Sequence, residues 1–235
     1  MKRSLTYQTS SENRFGPAHD VVAHIRGRGL LPDDGRYSYR ITDLKPRLVD
    51  LRRLPVVTID DTKIESSPPT WVCACADETG ATYYATKHNR YKGNDTPILI
   101  CFNATLPHVI IDGRDFLYTV FQNGDPQRAR PFAEKIYGPG ILQYLDRAWA
   151  TTDQSQRIAL CHLAVQDDDV IRAHFKNKIV IAGRYNTRFC SAFMVQTPVP
   201  AKHIISVEHV EREVHLPEPD VTIPMIRPTA KFVIG

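Results

Sequence analysis

Pro97-Ile98-Leu99-Ile100-Cys101-Phe102 is an uninterrupted apolar run, and such a run reads as a strand buried on both faces. Downstream, Val109-Ile110-Ile111 and Phe116-Leu117-Tyr118-Thr119-Val120-Phe121 read as two further strands, and Asp112-Gly113 between them predicts a hairpin turn. Upstream, Trp71-Val72-Cys73-Ala74-Cys75-Ala76 reads as a strand with Cys73 and Cys75 on one sheet face. A short helix over roughly residues 78–88 follows it.

Two helices are expected within residues 127–150 and around 155–175, the first divided at Gly138-Pro139-Gly140. Strands at Phe193-Met194-Val195 and over 204–210 come last. At the other end a strand over 5–9 leads through a polar turn to a helix over 18–28. There Ala18, Val21, Val22 and Ile25 keep i, i+3, i+4, i+7 spacing, and Gly29 suits a left-handed C-cap. Residues 32–70 hold many Asp, Arg and Pro and read as irregular, with a strand or two such as Val56-Val57-Thr58-Ile59. Four prolines in the twelve residues from Pro217 predict an extended surface tail. Strands first and last with helices grouped between them imply an α+β domain over 1–216 with a tail over 217–235, and not an alternating doubly wound sheet.

The 235 residues are 42% hydrophobic and 24% charged, enough apolar text to build a core. Thirty Lys and Arg against twenty-six Asp and Glu give +4, which permits an anionic partner without demanding one. No apolar run approaches the ~20 residues of a membrane-spanning helix, and residues 1–8 have no apolar stretch behind Lys2 and Arg3. An odd count of five cysteines, without an export signal, predicts reduced thiols and a cytoplasmic protein. The Cys-x-Cys spacing at 73 and 75 is not the usual zinc spacing, so no metal is expected. Asp167-Asp168-Asp169 reads as a solvated helix face.

Familiar catalytic patterns are missing. The sequence has no phosphate-cradling Gly-x-x-x-x-Gly-Lys-Ser/Thr loop, no His-Glu-x-x-His and no Gly-x-Ser-x-Gly. Gly27-Arg28-Gly29 lacks the third glycine of a dinucleotide fingerprint. His108, His162, His174, His203 and His215 stand singly and read as surface or core histidines.

The informative segments lie at the two ends. Near the start stand Tyr7-Gln8-Thr9-Ser10-Ser11-Glu12-Asn13 and Ile25-Arg26-Gly27-Arg28-Gly29-Leu30-Leu31-Pro32. Near the end stand Ser191-Ala192-Phe193-Met194-Val195-Gln196-Thr197-Pro198-Val199-Pro200 and Ile204-Ile205-Ser206-Val207. Together these segments resemble the ADP-ribosyltransferase superfamily, and more closely the DarT-type toxins that attach ADP-ribose from NAD to DNA bases. In that family a first strand carries Thr-His-x-x-Asn before a helix that ends in Gly-Leu. Here Thr9, Ser10 and Asn13 fall on those places, with Ser10 where the family has His. The family's closing Ala-Glu-Phe-Leu-Val, then Val-Pro and an Ile-rich strand, is met by residues 191–195, Val199-Pro200 and Ile204-Ile205. Phe116 to Asn123 is a fainter echo. The motifs cover about a quarter of the chain.

The resemblance implies a split β-sheet core with flanking helices, NAD as substrate, no metal, and a partner antitoxin, in the family often a macrodomain hydrolase. It places a catalytic glutamate at 192, where this chain has Ala192. The frame kept around it implies a toxin inactivated at that position; the alternative is a natural non-catalytic relative. Gln8, Thr9, Ser10 and Asn13 would supply polar groups to NAD, and Tyr83 and Tyr84 a ring face. Arg52 or Arg53 falls where the family has an NAD-facing arginine, and Arg14 is nearer the first motif. For a single-stranded DNA acceptor the candidate surface is Lys87, Arg90 and Lys92 interleaved with His88 and Tyr91, cations for phosphates and rings for an extruded base. Protein, RNA or water as acceptor, and a non-catalytic NAD- or nucleic-acid-binding module, are the alternatives.

Overall fold

The computed structural model describes residues 2–8, 18–31, 71–83, 95–184, 187–210 and 214–228, and every structural statement below concerns these. They form a mixed α+β fold of eight helices and small, mainly antiparallel sheets, gathered in two compact units. The first unit draws on residues up to 44, 62–111 and 189–218; the second draws on 112–188 and the residues from 219 on.

In the first unit the apolar run that begins at Pro97 lies in β3, Asp95–Phe102, a central strand as its sequence predicts. It pairs antiparallel on one side with β1, Lys2–Gln8, and on the other with β8, Ile204–His209. Ile98, Ile100 and Phe102 are fully buried on one face, and Leu99 packs with Cys75, Ala81 and Val210 on the other. Each such Ile or Phe contributes about 1.5–3 kcal/mol relative to exposure. A second antiparallel sheet sets β7, Phe193–Gln196, between β2, Trp71–Ala74, and β4, Val109–Ile111. Helix α1, Ala18–Arg28, has the bounds its periodicity predicts and packs on β8. Helix α2, Glu78–Tyr83, begins at the expected residue; the expected continuation from 84 on lies outside the described residues. So does the irregular region 32–70.

The second unit is a helical stack. Residues 127–150 divide as predicted at the Gly-Pro-Gly break, into α4, Pro126–Tyr137, and α5, Leu142–Trp149. The single helix expected around 155–175 is two, α6, Gln154–Ala164, and α7, Asp168–Phe175. The reason is Asp167, whose carboxylate accepts the backbone N–H groups of Asp169 and Val170 and starts a new helix. Asp168 and Asp169 pair with Arg172 on the exposed face of that helix, as the acidic run suggested. Asp125 and Asp153 cap α4 and α6 in the same way as Asp167.

Two expectations are corrected here. The run at 116–121 is no strand, and Asp112-Gly113 opens no hairpin: helix α3 spans Leu117–Asn123. Phe116, Leu117, Val120 and Phe121 are all buried and share a face only at helical spacing. Asp112 instead binds Arg114 through backbone and guanidinium, and Gly113 accepts the Tyr118 N–H. The tail from 217 is not extended throughout. β9, Val221–Thr222, runs parallel to β5, Ile181–Ala182, and α8, Ile223–Ile226, follows with Ile226 buried. Val221 is buried too, and apolar burial there outweighs the prolines around it. β6, Arg188–Phe189, carries the chain onward into β7. No described helix is long and apolar enough to cross a membrane.

Candidate functional site

Position 192 immediately precedes β7, the middle strand of its sheet. The register sets Trp71 opposite Gln196, Cys73 opposite Met194 and Ile110 opposite Met194. Residues directly opposite share a face. Trp71, Ile110 and Met194 close into one buried apolar cluster. The other face carries Val72, Ala74, Val109, Ile111, Phe193 and Val195, all buried. Ala192 itself is half-buried.

Two features hold the end of β7. Ser191 is buried, and its hydroxyl accepts the Ala76 N–H at 2.9 Å, which pins the segment before Ala192 to the end of β2. His108, exposed, meets the Gln196 amide oxygen at 3.2 Å. Neither contact is announced by a motif; both arise from strand pairing between remote segments.

The Gly-Leu end of the first motif meets the Val-Pro segment of the last. Gly29 ends α1 with φ +84°, and its N–H bonds the Ile25 carbonyl at 2.8 Å. Leu30 then exchanges two backbone hydrogen bonds with Val199, at 2.9 and 2.8 Å. A Cβ at position 29 would stand 1.9 Å from the Val199 carbonyl oxygen, so only glycine permits this approach. The peptide between Thr197 and Pro198, just before Val199, is cis.

Arg26 adds a second tie between α1 and β8. Its guanidinium donates to the Val207 carbonyl at 2.8 Å. Beside it, Val22, Ala23, Val207, Glu208 and His209 line an open groove of about 400 Å³. Sequence reading passed over Arg26, although an arginine in the last turn of a helix is the kind of residue that reaches neighbouring carbonyls.

Of the residues expected to hold NAD, Gln8 ends β1 and Tyr83 ends α2, half-buried. Thr9, Ser10, Asn13, Arg14, Arg52, Arg53 and Tyr84 lie outside the described residues, as do Lys87, His88, Arg90, Tyr91 and Lys92. Of the singly placed histidines, His162 and His174 are buried, His203 is half-buried, and His108 and His215 are exposed. No family model, no curated protein and no solved structure matches the chain.

Proposed function

We propose that the sheet-bearing unit is an ADP-ribosyltransferase-type scaffold that takes NAD and transfers ADP-ribose to a nucleic-acid base, DNA favoured, as a toxin. The observation that carries this reading is the reciprocal bonding of Leu30 and Val199. It joins the Gly-Leu end of the first motif to the Val-Pro segment of the last, and Ala192 stands a few residues upstream on the same stretch. Two small antiparallel sheets with flanking helices also support it.

In this reading the bond between ribose C1′ and nicotinamide breaks, nicotinamide leaves, and an acceptor atom of the base forms the new bond to C1′ while losing its proton. A carboxylate at 192 would stabilise the positive charge that develops on the ribose or take that proton. Ala192 does neither. Replacement by glutamate, Ala192→Glu, is expected to raise nicotinamide release and labelled transfer by on the order of 10²–10⁴-fold, the usual worth of a positioned acid or base. The assay runs both forms against DNA, RNA and protein. No gain with any acceptor removes the transferase reading.

Ala192 also favours a second reading, a non-catalytic module that binds NAD or nucleic acid. Calorimetry separates the two. Ground-state binding of NAD should survive without the carboxylate, since that group acts on charge in the transition state. Thr9→Ala and Asn13→Ala should each weaken it by about 0.5–3 kcal/mol. Binding without any gain from Ala192→Glu selects the module; no binding at millimolar NAD rejects both readings of the NAD site. Single-stranded DNA should bind better than duplex, because duplex adds the few kcal/mol of base extrusion. That binding should weaken with salt through Lys87, Arg90 and Lys92.

A further inference from the structure

The helical unit buries polar groups that the proposed transfer does not use. The Tyr118 and Thr119 hydroxyls on α3 and Nδ1 of His162 on α6 have no hydrogen-bond partner among the described residues. The two helices pack against each other, and the rings of Tyr118 and His162 lie 5.5 Å apart at a tilt of 57°. His162 is only 4% exposed, and its neighbour Cys161 is fully buried. Unpaired polar atoms in such a place are costly, and a charge there costs far more.

We propose that the α3–α6 seam is an acid-sensitive joint of the helical unit, closed while His162 is neutral and opened when it takes up a proton. The carboxylate whose field reaches the seam, Asp112, is paired with Arg114, and the other groups around it offer an imidazolium no counter-charge. From α3 comes Tyr118, held neutral because burial, then the fields of Cys161 and Asp112, push its hydroxyl up. From α6 come Cys161, whose thiol burial also pushes up, and Arg157, which is spent on the Thr151 and Gln122 carbonyls. From α5, Tyr144 donates to Asp167, Asp146 pairs with Arg130, and Arg147 is exposed. Tyr137 of α4 and His174 of α7 stack on each other at 4.7 Å. A proton on His162 is therefore stabilised only when the ring reaches water, which requires α6 to part from α3.

Burial alone lowers His162 from 6.5 to about 4. The folded value lies below the unfolded one, so the closed form keeps its full stability above pH 6.5 and loses it as pH falls towards 4. Between pH 7 and pH 4 the opening equilibrium should rise on the order of 100-fold from this group.

Hydrogen exchange of α3 and α6 peptides, corrected for intrinsic rates, measures that rise in the full chain. The wild type should show it, and His162→Met, which takes no proton, should show no comparable rise. An equal rise in both overturns the proposal. Should His162→Met fail to fold, ring-proton titration of His162 in the wild type decides. A midpoint near 4 supports the joint, and one near 6.5 overturns it.

Discussion

The two units are built on opposite principles. In the sheet-bearing unit, neighbours in space come from far apart in the chain: β2 pairs with β7, β3 with β8, and Leu30 with Val199. In the helical unit, α4 packs on α5 and α5 on α6, with α3 closing against α6 from a short distance along the chain, and Asp125, Asp153 and Asp167 each start a helix from its own first turn. The first arrangement brings distant motifs to one place; the second buries side chains whose company depends on helix packing. Disturbing the first should therefore propagate between chain ends, whereas disturbing the second should stay near the altered turn.

Gly29 and Gly138, the two described glycines with positive φ, test this contrast most severely. At Gly29 an added Cβ meets backbone, the Val199 carbonyl, whereas at Gly138 (φ +76°) it meets only the Ala173 side chain at 2.6 Å. Strain and overpacking together give roughly 3 kcal/mol or more for Gly29→Ala. Urea titration should show a smaller loss for Gly138→Ala, and exchange should spread from 29 to the 199 segment in the first variant. Equal losses, or no spread, would erase the distinction.

A milder change is Asp153→Ala. It removes the acceptor for the Ser155 and Gln156 N–H groups and should cost about 1 kcal/mol, with faster exchange confined to the first turn of α6. The smallest effect belongs to Arg26→Met. The side chain is exposed, so losing its bond to the Val207 carbonyl should cost only about 0.5 kcal/mol. Its signature is location: exchange at β8, far along the chain, should respond more than α1 itself.

Part of the candidate site rests on residues alone, and most of its other expected members lie outside the described residues. The Phe193-Met194-Val195 frame marks position 192, and Gly29 after an amphipathic helix marks the C-cap. What the residues did not disclose was the set of neighbours. Ser191 and Ala76 lie in segments with no shared motif, and their contact exists only because β2 and β7 pair in one register. His108, one histidine among several, gained a partner in Gln196 by the same kind of pairing.

Local chemistry determined the bounds of α1, the break at Gly138-Pro139-Gly140 and the buried character of β3. Each rests on spacing, backbone freedom or apolarity within a few residues. Tertiary structure decided the rest. Phe116 to Phe121 has the composition of a strand, yet it is the start of a helix because Phe116, Leu117, Val120 and Phe121 find one core to fill. His162 has an ordinary sequence context, and only its burial in the helical unit, where α6 packs against α3 and α5, pushes its imidazole down. The junction of Leu30 with Val199 has the same origin. A backbone hydrogen bond carries no side-chain signature, so nothing in either motif names the other as its partner.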